Sequence, residues 1–98
     1  MIVEIDSKAL KDLSKIHKQE VQKILSKIEL LENYPNVTNI KKLTNFEPPY
    51  RLRVGNYRVL FDIEDNVITV YRIKHRSKSY EWFFKLNSLF SKSKTALK

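Results

Sequence analysis

The chain contains one glycine, Gly55, and with Asn56 it separates two runs that read as strands, Tyr50-Arg51-Leu52-Arg53-Val54 and residues 57–63. Aromatic and β-branched side chains dominate both runs, the composition favoured by a pleated, half-buried surface. A two-residue loop with glycine at its first central position suits a type II′ turn, whose twist matches that of paired antiparallel strands. Such a turn dictates the register: Val54 faces Tyr57, Arg53 faces Arg58, Leu52 faces Val59 and Arg51 faces Leu60. Successive side chains point to opposite faces. One face of the ribbon therefore collects Tyr50, Leu52, Val54, Tyr57, Val59 and Phe61, a core face, and the other collects Arg51, Arg53 and Arg58.

The remaining pattern supplies what such a ribbon needs to pack against. Ile2, Val3 and Ile5 make a short first strand, after which Asp6 or Ser7 offers an N-cap oxygen to the free amides of a helical turn. Ala9, Leu10, Leu13 and Ile16 recur at helical spacing to about Ile16. Val21, Ile24, Leu25, Ile28 and Leu31 mark a second amphipathic helix to about Asn33. The lysines on the outward positions of both helices read as a solubilising face. Pro35 ends the second helix, and residues 34–49 carry turn formers without a sustained period, an irregular connection anchored by Ile40 and Leu43. A third β-rich run covers residues 67–73. Tyr80, Trp82, Phe83, Phe84, Leu86, Leu89 and Phe90 fit a short C-terminal helix, and residues 91–98 read as a basic, frayed tail. The order is β-α-α-β-β-β-α: an α+β domain of residues 1–90, with two N-terminal helices packed on a small antiparallel sheet.

Arg53 and Arg58, opposed across a ladder, repel by an amount on the order of 0.2–1 kcal/mol, and some compensation is required. One reading lets the arginines splay into water or pair with Glu47, Asp62 or Glu64. The other treats them as a rigid cluster of guanidinium forks matched to phosphate oxygens in geometry and charge. Three such groups on one stiff face favour a phosphate site. The net charge of +8 agrees, because cations that neutralise phosphates release condensed counterions.

Composition narrows the field further. With 98 residues the chain makes one small domain, and with no cysteine it offers neither a disulfide scaffold, nor a Cys-ligated metal, nor a thiol nucleophile. Two histidines far apart in sequence, without an acidic cluster, argue against a metal site, and no cofactor is expected. No run approaches the roughly 18 apolar residues of a membrane span, and Met1 leads straight into strand-like residues without a signal-peptide pattern. An intracellular, cytoplasmic protein without a membrane partner is the expectation.

The third strand runs into Lys74-His75-Arg76-Ser77-Lys78-Ser79-Tyr80, which adds cations, an imidazole and a phenol close to the arginine ribbon. Which of them share its face depends on the register across Glu64-Asp65-Asn66, and a bulge there would exchange the two sets. His75 is either an idle exposed side chain or the one nearby group with an unperturbed pKa suited to proton transfer near neutrality. Tyr80 reads either as core or as a functional phenol.

The segment from Tyr50 to Phe61, followed by His75-Arg76-Ser77-Lys78-Ser79-Tyr80, resembles the signature of the RelE/ParE superfamily of bacterial toxins. Lys42-Leu43 and the order of elements match as well, so the resemblance covers nearly the whole chain. It implies a toxin of a type II toxin–antitoxin system that pairs with a cognate antitoxin carrying an acidic, partly disordered segment. In the RelE-like branch it implies an mRNA endonuclease acting on the ribosome. The alternatives are a ParE-like inhibitor of DNA gyrase and an inactive nucleic-acid-binding relative.

Carried over by position, the family's basic strand residues fall on Arg51 and Arg53, its next-strand arginine on Arg58, and the basic position before the last helix on Lys74. Its further arginine falls on Arg76 and its functional tyrosine on Tyr80. The implied chemistry is metal-free: the ribose 2′-hydroxyl attacks the adjacent phosphorus, leaving a 2′,3′-cyclic phosphate and a 5′-hydroxyl. Arg58, aided by Arg53, would hold the nonbridging oxygens, Tyr80 would stack on or orient the nucleotide, and Lys74 would serve the leaving oxygen. Arg51, Arg53, Arg58, Arg76 and Lys78 are the candidate RNA contacts. Arginine stands on the strand where the best-known branch carries lysine, and a guanidinium with a pKa above about 12 cannot act as a base. His75 becomes the candidate base by default.

Overall fold

The computed structural model describes residues 1–77. Asp6 caps the first helix as its sequence suggests, its carboxylate accepting from the Lys8 amide at 2.9 Å. The chain runs β1 (Ile2–Ile5), α1 (Ser7–Ser14), α2 (Lys18–Glu29), a 3₁₀ turn (Leu30–Asn33), then β2 (Ile40–Lys42), β3 (Tyr50–Val54), β4 (Tyr57–Glu64) and β5 (Val67–His75). His17 caps α2, its Nδ1 accepting from the Gln19 amide at 3.3 Å. The second helical stripe is thus part α-helix and part 3₁₀ turn, a common tightening at a helix end.

The strands form one five-stranded sheet in the order β1-β5-β4-β3-β2. Ala9 and Leu13 of α1, Ile24 and Ile28 of α2 and Leu31 of the 3₁₀ turn pack with Leu52, Val54, Val59, Phe61, Ile68, Val70 and Ile73 in one apolar cluster. Burying each large side chain there is worth about 1.5–3 kcal/mol, so this face supplies most of the fold's stability. The expected α+β class, with two helices on a sheet, is what the chain adopts.

The sheet differs from the expected one in two respects. β1 pairs in parallel with β5, Ile2 opposite Val67 and Ile5 opposite Val70, so the sheet is mixed. Alternation identifies a strand and its buried side, but it does not say which neighbour shares its hydrogen bonds. The connection read as irregular also contains β2, which pairs with β3 through Ile40–Leu52, Lys41–Arg51 and Lys42–Tyr50. A strand of three residues with one apolar side chain carries too short a pattern to be recognised. The C-terminal helix and the tail lie outside the described residues.

Candidate nucleic-acid interface

Gly55 has φ 57°, in the left-handed region that a type II′ loop demands of its first central residue. β3 and β4 then pair as the turn dictates, with Arg53 opposite Arg58 and Arg51 opposite Leu60. The next turn has positive φ at both Asp65 (50°) and Asn66 (66°), the requirement of a type I′ loop, and starts the β4–β5 ladder at Glu64–Val67.

That second ladder does not run evenly. Phe61 pairs with Val70 but Leu60 pairs with Arg72, so Tyr71 is an extra residue in β5. Beyond this bulge Val59 faces Ile73, Arg58 faces Lys74 and Tyr57 faces His75. An uninterrupted ladder would have set Ile73 opposite Arg58. The bulge thus moves Ile73 to the core side, where it is 3% exposed, and brings Lys74 onto the arginine face.

Two cross-strand rows result on the side of the sheet away from the helices. One is Arg53, Arg58 and Lys74; the other is Lys41, Arg51, Leu60 and Arg72. Arg53 is exposed, whereas Arg51, Arg58, Arg72 and Lys74 are half-buried. Among the described residues neither Arg51 nor Arg53 forms an ion pair, so pairing with Glu47, Asp62 or Glu64 is not how these two are accommodated. Arg58 turns one guanidinium nitrogen, at 3.3 Å, onto the Tyr57 carbonyl. Further along β4 the same face changes sign at Asp62 and Glu64, so the positive potential is concentrated toward the Gly55 end.

The predicted site residues separate accordingly. Arg51, Arg53, Arg58 and Lys74 share the outer face. His75 does not join them: it stands on the other side of β5, its ring edge-on to Tyr57 at 5.4 Å, with Nδ1 at 2.9 Å from the Ser77 hydroxyl. Arg76, exposed, follows the strand and donates its amide to the Asn56 carbonyl at 2.7 Å. Lys78 and Tyr80 lie outside the described residues.

Sequence reasoning missed Lys41, Arg72 and Asp12. Arg72 donates to the Asp12 carboxylate from Nε at 2.8 Å and from a terminal nitrogen at 3.0 Å, and the Ile73 amide donates to the same carboxylate at 2.9 Å. Burial pushes the Asp12 pKa up, but the hydrogen bonds from Arg72 and Ile73, with the charges of Arg72 and Lys74, outweigh it and hold the carboxyl below its ordinary value. The bulge had left a signal in the sequence: Ile68 and Val70 keep the period of two, and the next core residue, Ile73, comes three positions later.

Comparison with known proteins gives this geometry a family. The family described as the ParE toxin of type II toxin–antitoxin system, parDE, matches residues 3–80. The RelE1 protein of Methanocaldococcus jannaschii is 31% identical over 84 residues, covering 81% of this chain and 93% of that protein. The toxin RelE3 of the same organism is 38% identical over 45 residues, 46% of this chain, and the match spans about half of RelE3's own length, 51%. Among solved structures, the RelB–RelE antitoxin–toxin complex from Methanococcus jannaschii matches with a TM-score of 0.64 at 28% identity, covering 82% of this chain and 98% of that one. A family match across most of the chain, a near-full-length RelE relative and a shared fold lead to one conclusion: the chain belongs to the family of ParE toxins of type II toxin–antitoxin systems, on the RelE-like side of the RelE/ParE superfamily.

Proposed function

We propose that this chain is a toxin that cuts messenger RNA on the ribosome and is held inactive by a cognate antitoxin. The observation that carries the reading is the row Arg53, Arg58 and Lys74, three cations set side by side across three strands. A stiff sheet fixes the spacing of the backbone positions that carry these groups, and phosphate oxygens match guanidinium and ammonium groups in charge and geometry. Arg58, with Arg53, takes the nonbridging oxygens as charge builds in the transition state, and Lys74 donates a proton to the leaving 5′-oxygen. Arg51 and Arg76 contact flanking phosphates, Tyr80 keeps the role implied by the family resemblance, and Lys78 is a further RNA contact. Guanidinium groups cannot accept the 2′-hydroxyl proton, and His75 is turned to the other side of β5. The face therefore contributes electrostatic stabilisation and one proton donor, and the 2′-hydroxyl proton leaves to solvent water as its oxygen bonds to phosphorus.

The RelB–RelE complex is the basis for expecting a protein partner that covers the cationic face, with acidic residues complementing the net charge of +8. Among the described residues no helix is long and apolar enough to cross a membrane, in keeping with a toxin acting in the cytoplasm. Purified protein added to a reconstituted translation reaction should generate new 5′-hydroxyl ends within the message. Intact message under conditions that arrest translation would overturn the nuclease assignment. The ParE description of the matched family favours one second reading, gyrase inhibition. A supercoiling assay on the same preparation separates the two.

A further inference from the structure

β1 accompanies β5 only as far as Val70, where the Asp6 amide donates to the Val70 carbonyl at 2.8 Å. Beyond that point no strand among the described residues flanks β5 on that side. An amide left there without a partner costs free energy, and Asp12 of α1 supplies the acceptor for Ile73 at 2.9 Å while holding Arg72 through two nitrogens. The two side chains of this pair keep only 24% (Arg72) and 13% (Asp12) of their exposure, so the ion pair is largely out of water and its geometry is correspondingly rigid. Arg72 and Ile73 are the first two residues after the bulge at Tyr71, and Lys74 is the next. One carboxylate therefore ties down the stretch of strand whose register decides whether Lys74 or Ile73 stands beside Arg58.

We propose that Asp12 is a positioning residue for the cationic face: by gripping Arg72 and the Ile73 amide just past the β-bulge, it holds the register that places Lys74 beside Arg58. The inference rests on the nuclease reading of that face for its catalytic consequence, and on the geometry alone for its structural one. A second effect follows from charge. Arg72 is neutralised by Asp12 within its own row, so it does not add its repulsion to that of Arg58 and Lys74.

The test compares Asp12→Ala and Asp12→Asn with the unaltered chain by thermal unfolding, by cross-strand nuclear Overhauser contacts between Arg58 and Lys74, and by message cleavage in a reconstituted translation reaction. Both variants should fold. For Asp12→Ala kcat should fall by about 10- to 100-fold, the scale of misplacing a reacting group by about 1 Å, while KM moves by less than about twofold. The Arg58–Lys74 contacts should weaken or give way to Arg58–Ile73 contacts. Asp12→Asn, which keeps an acceptor for the Ile73 amide, should lose less. Wild-type contacts together with wild-type kcat in both variants overturn the proposal, as does a lowered melting temperature with kcat unchanged. If Asp12→Ala does not fold, Asp12→Asn decides on the same criteria. If the unaltered chain cuts no message, the nuclease reading fails separately, and the Arg58–Lys74 contacts decide alone: kept in the variants they overturn the positioning role, lost they support it.

Discussion

The two faces of the sheet are made from alternate residues of the same strands, yet opposite forces govern them. On the helix-covered face Val59, Phe61, Ile68 and Val70 are wholly withdrawn from water, and apolar burial holds the strands down. On the outer face Arg53, Arg58 and Lys74 stand in a row and repel one another, a cost the covered face offsets. Stability and charge are thereby assigned to different residues. A side chain of the outer face can be removed with little harm to the fold, and one of the covered face cannot. Leu60 and Arg72 are the exceptions: Leu60 is fully buried although it lies on the outer face between Arg51 and Arg72, and Arg72 is bound through two nitrogens to the Asp12 carboxylate.

Four substitutions test this division. The largest loss of stability is expected from Phe61→Ala, which empties the largest fully buried side chain among the described residues and should cost about 3–5 kcal/mol in denaturant unfolding; a loss under 1 kcal/mol would deny the covered face its role. Arg58→Ala should reduce message cleavage by about 10²- to 10³-fold, the scale of losing one transition-state donor. Its unfolding midpoint should shift by less than that of Phe61→Ala, because the side chain is only half-buried. Cleavage at the wild-type rate would remove Arg58 from the chemistry.

Asp12 links the two faces and predicts a pH dependence. Its carboxyl titrates lower in the folded chain than in the unfolded one, so the stability it contributes is present above its unfolded pKa of about 3.9 and is lost as pH falls through the folded value. Asp12→Asn should cost about 1–3 kcal/mol at neutral pH, and the gap between variant and wild type should close below about pH 4. A gap independent of pH would mean that the charge of Asp12 contributes nothing. The smallest effect belongs to Arg53→Ala, expected to stabilise the chain by about 0.2–1 kcal/mol while lowering the salt dependence of RNA binding by about one phosphate contact. Unchanged salt dependence would place Arg53 outside the RNA contact.

The two hairpins account for how much of this was legible in the sequence. At Gly55-Asn56 the turn chemistry, the alternation and the even ladder agree, so the opposition of Arg53 and Arg58 could be read residue by residue. At Asp65-Asn66 the turn is equally defined, but the Tyr71 bulge intervenes before Lys74 and His75 and changes which of them faces the arginines. The bulge exists because Ile73 must reach the core that α1 and α2 build, a demand made by residues more than forty positions away. Asp12 and Arg72, 60 positions apart, carry no local sign of each other. Nor does β1 declare its parallel partner.

Local chemistry alone determined the two N-terminal helices, the first hairpin, the clustering of guanidinium groups and the apolar set apart from Leu10 and Leu25, which stand exposed on the helical stripes, because turn preference and side-chain alternation act over a few residues. Tertiary packing decided the parallel pairing of β1, the three-residue strand β2, the bulge, the exclusion of His75 and the ion pair that secures Lys74. Each of these depends on which distant element offers a hydrogen bond or an apolar surface, and that is settled only when the chain closes on itself.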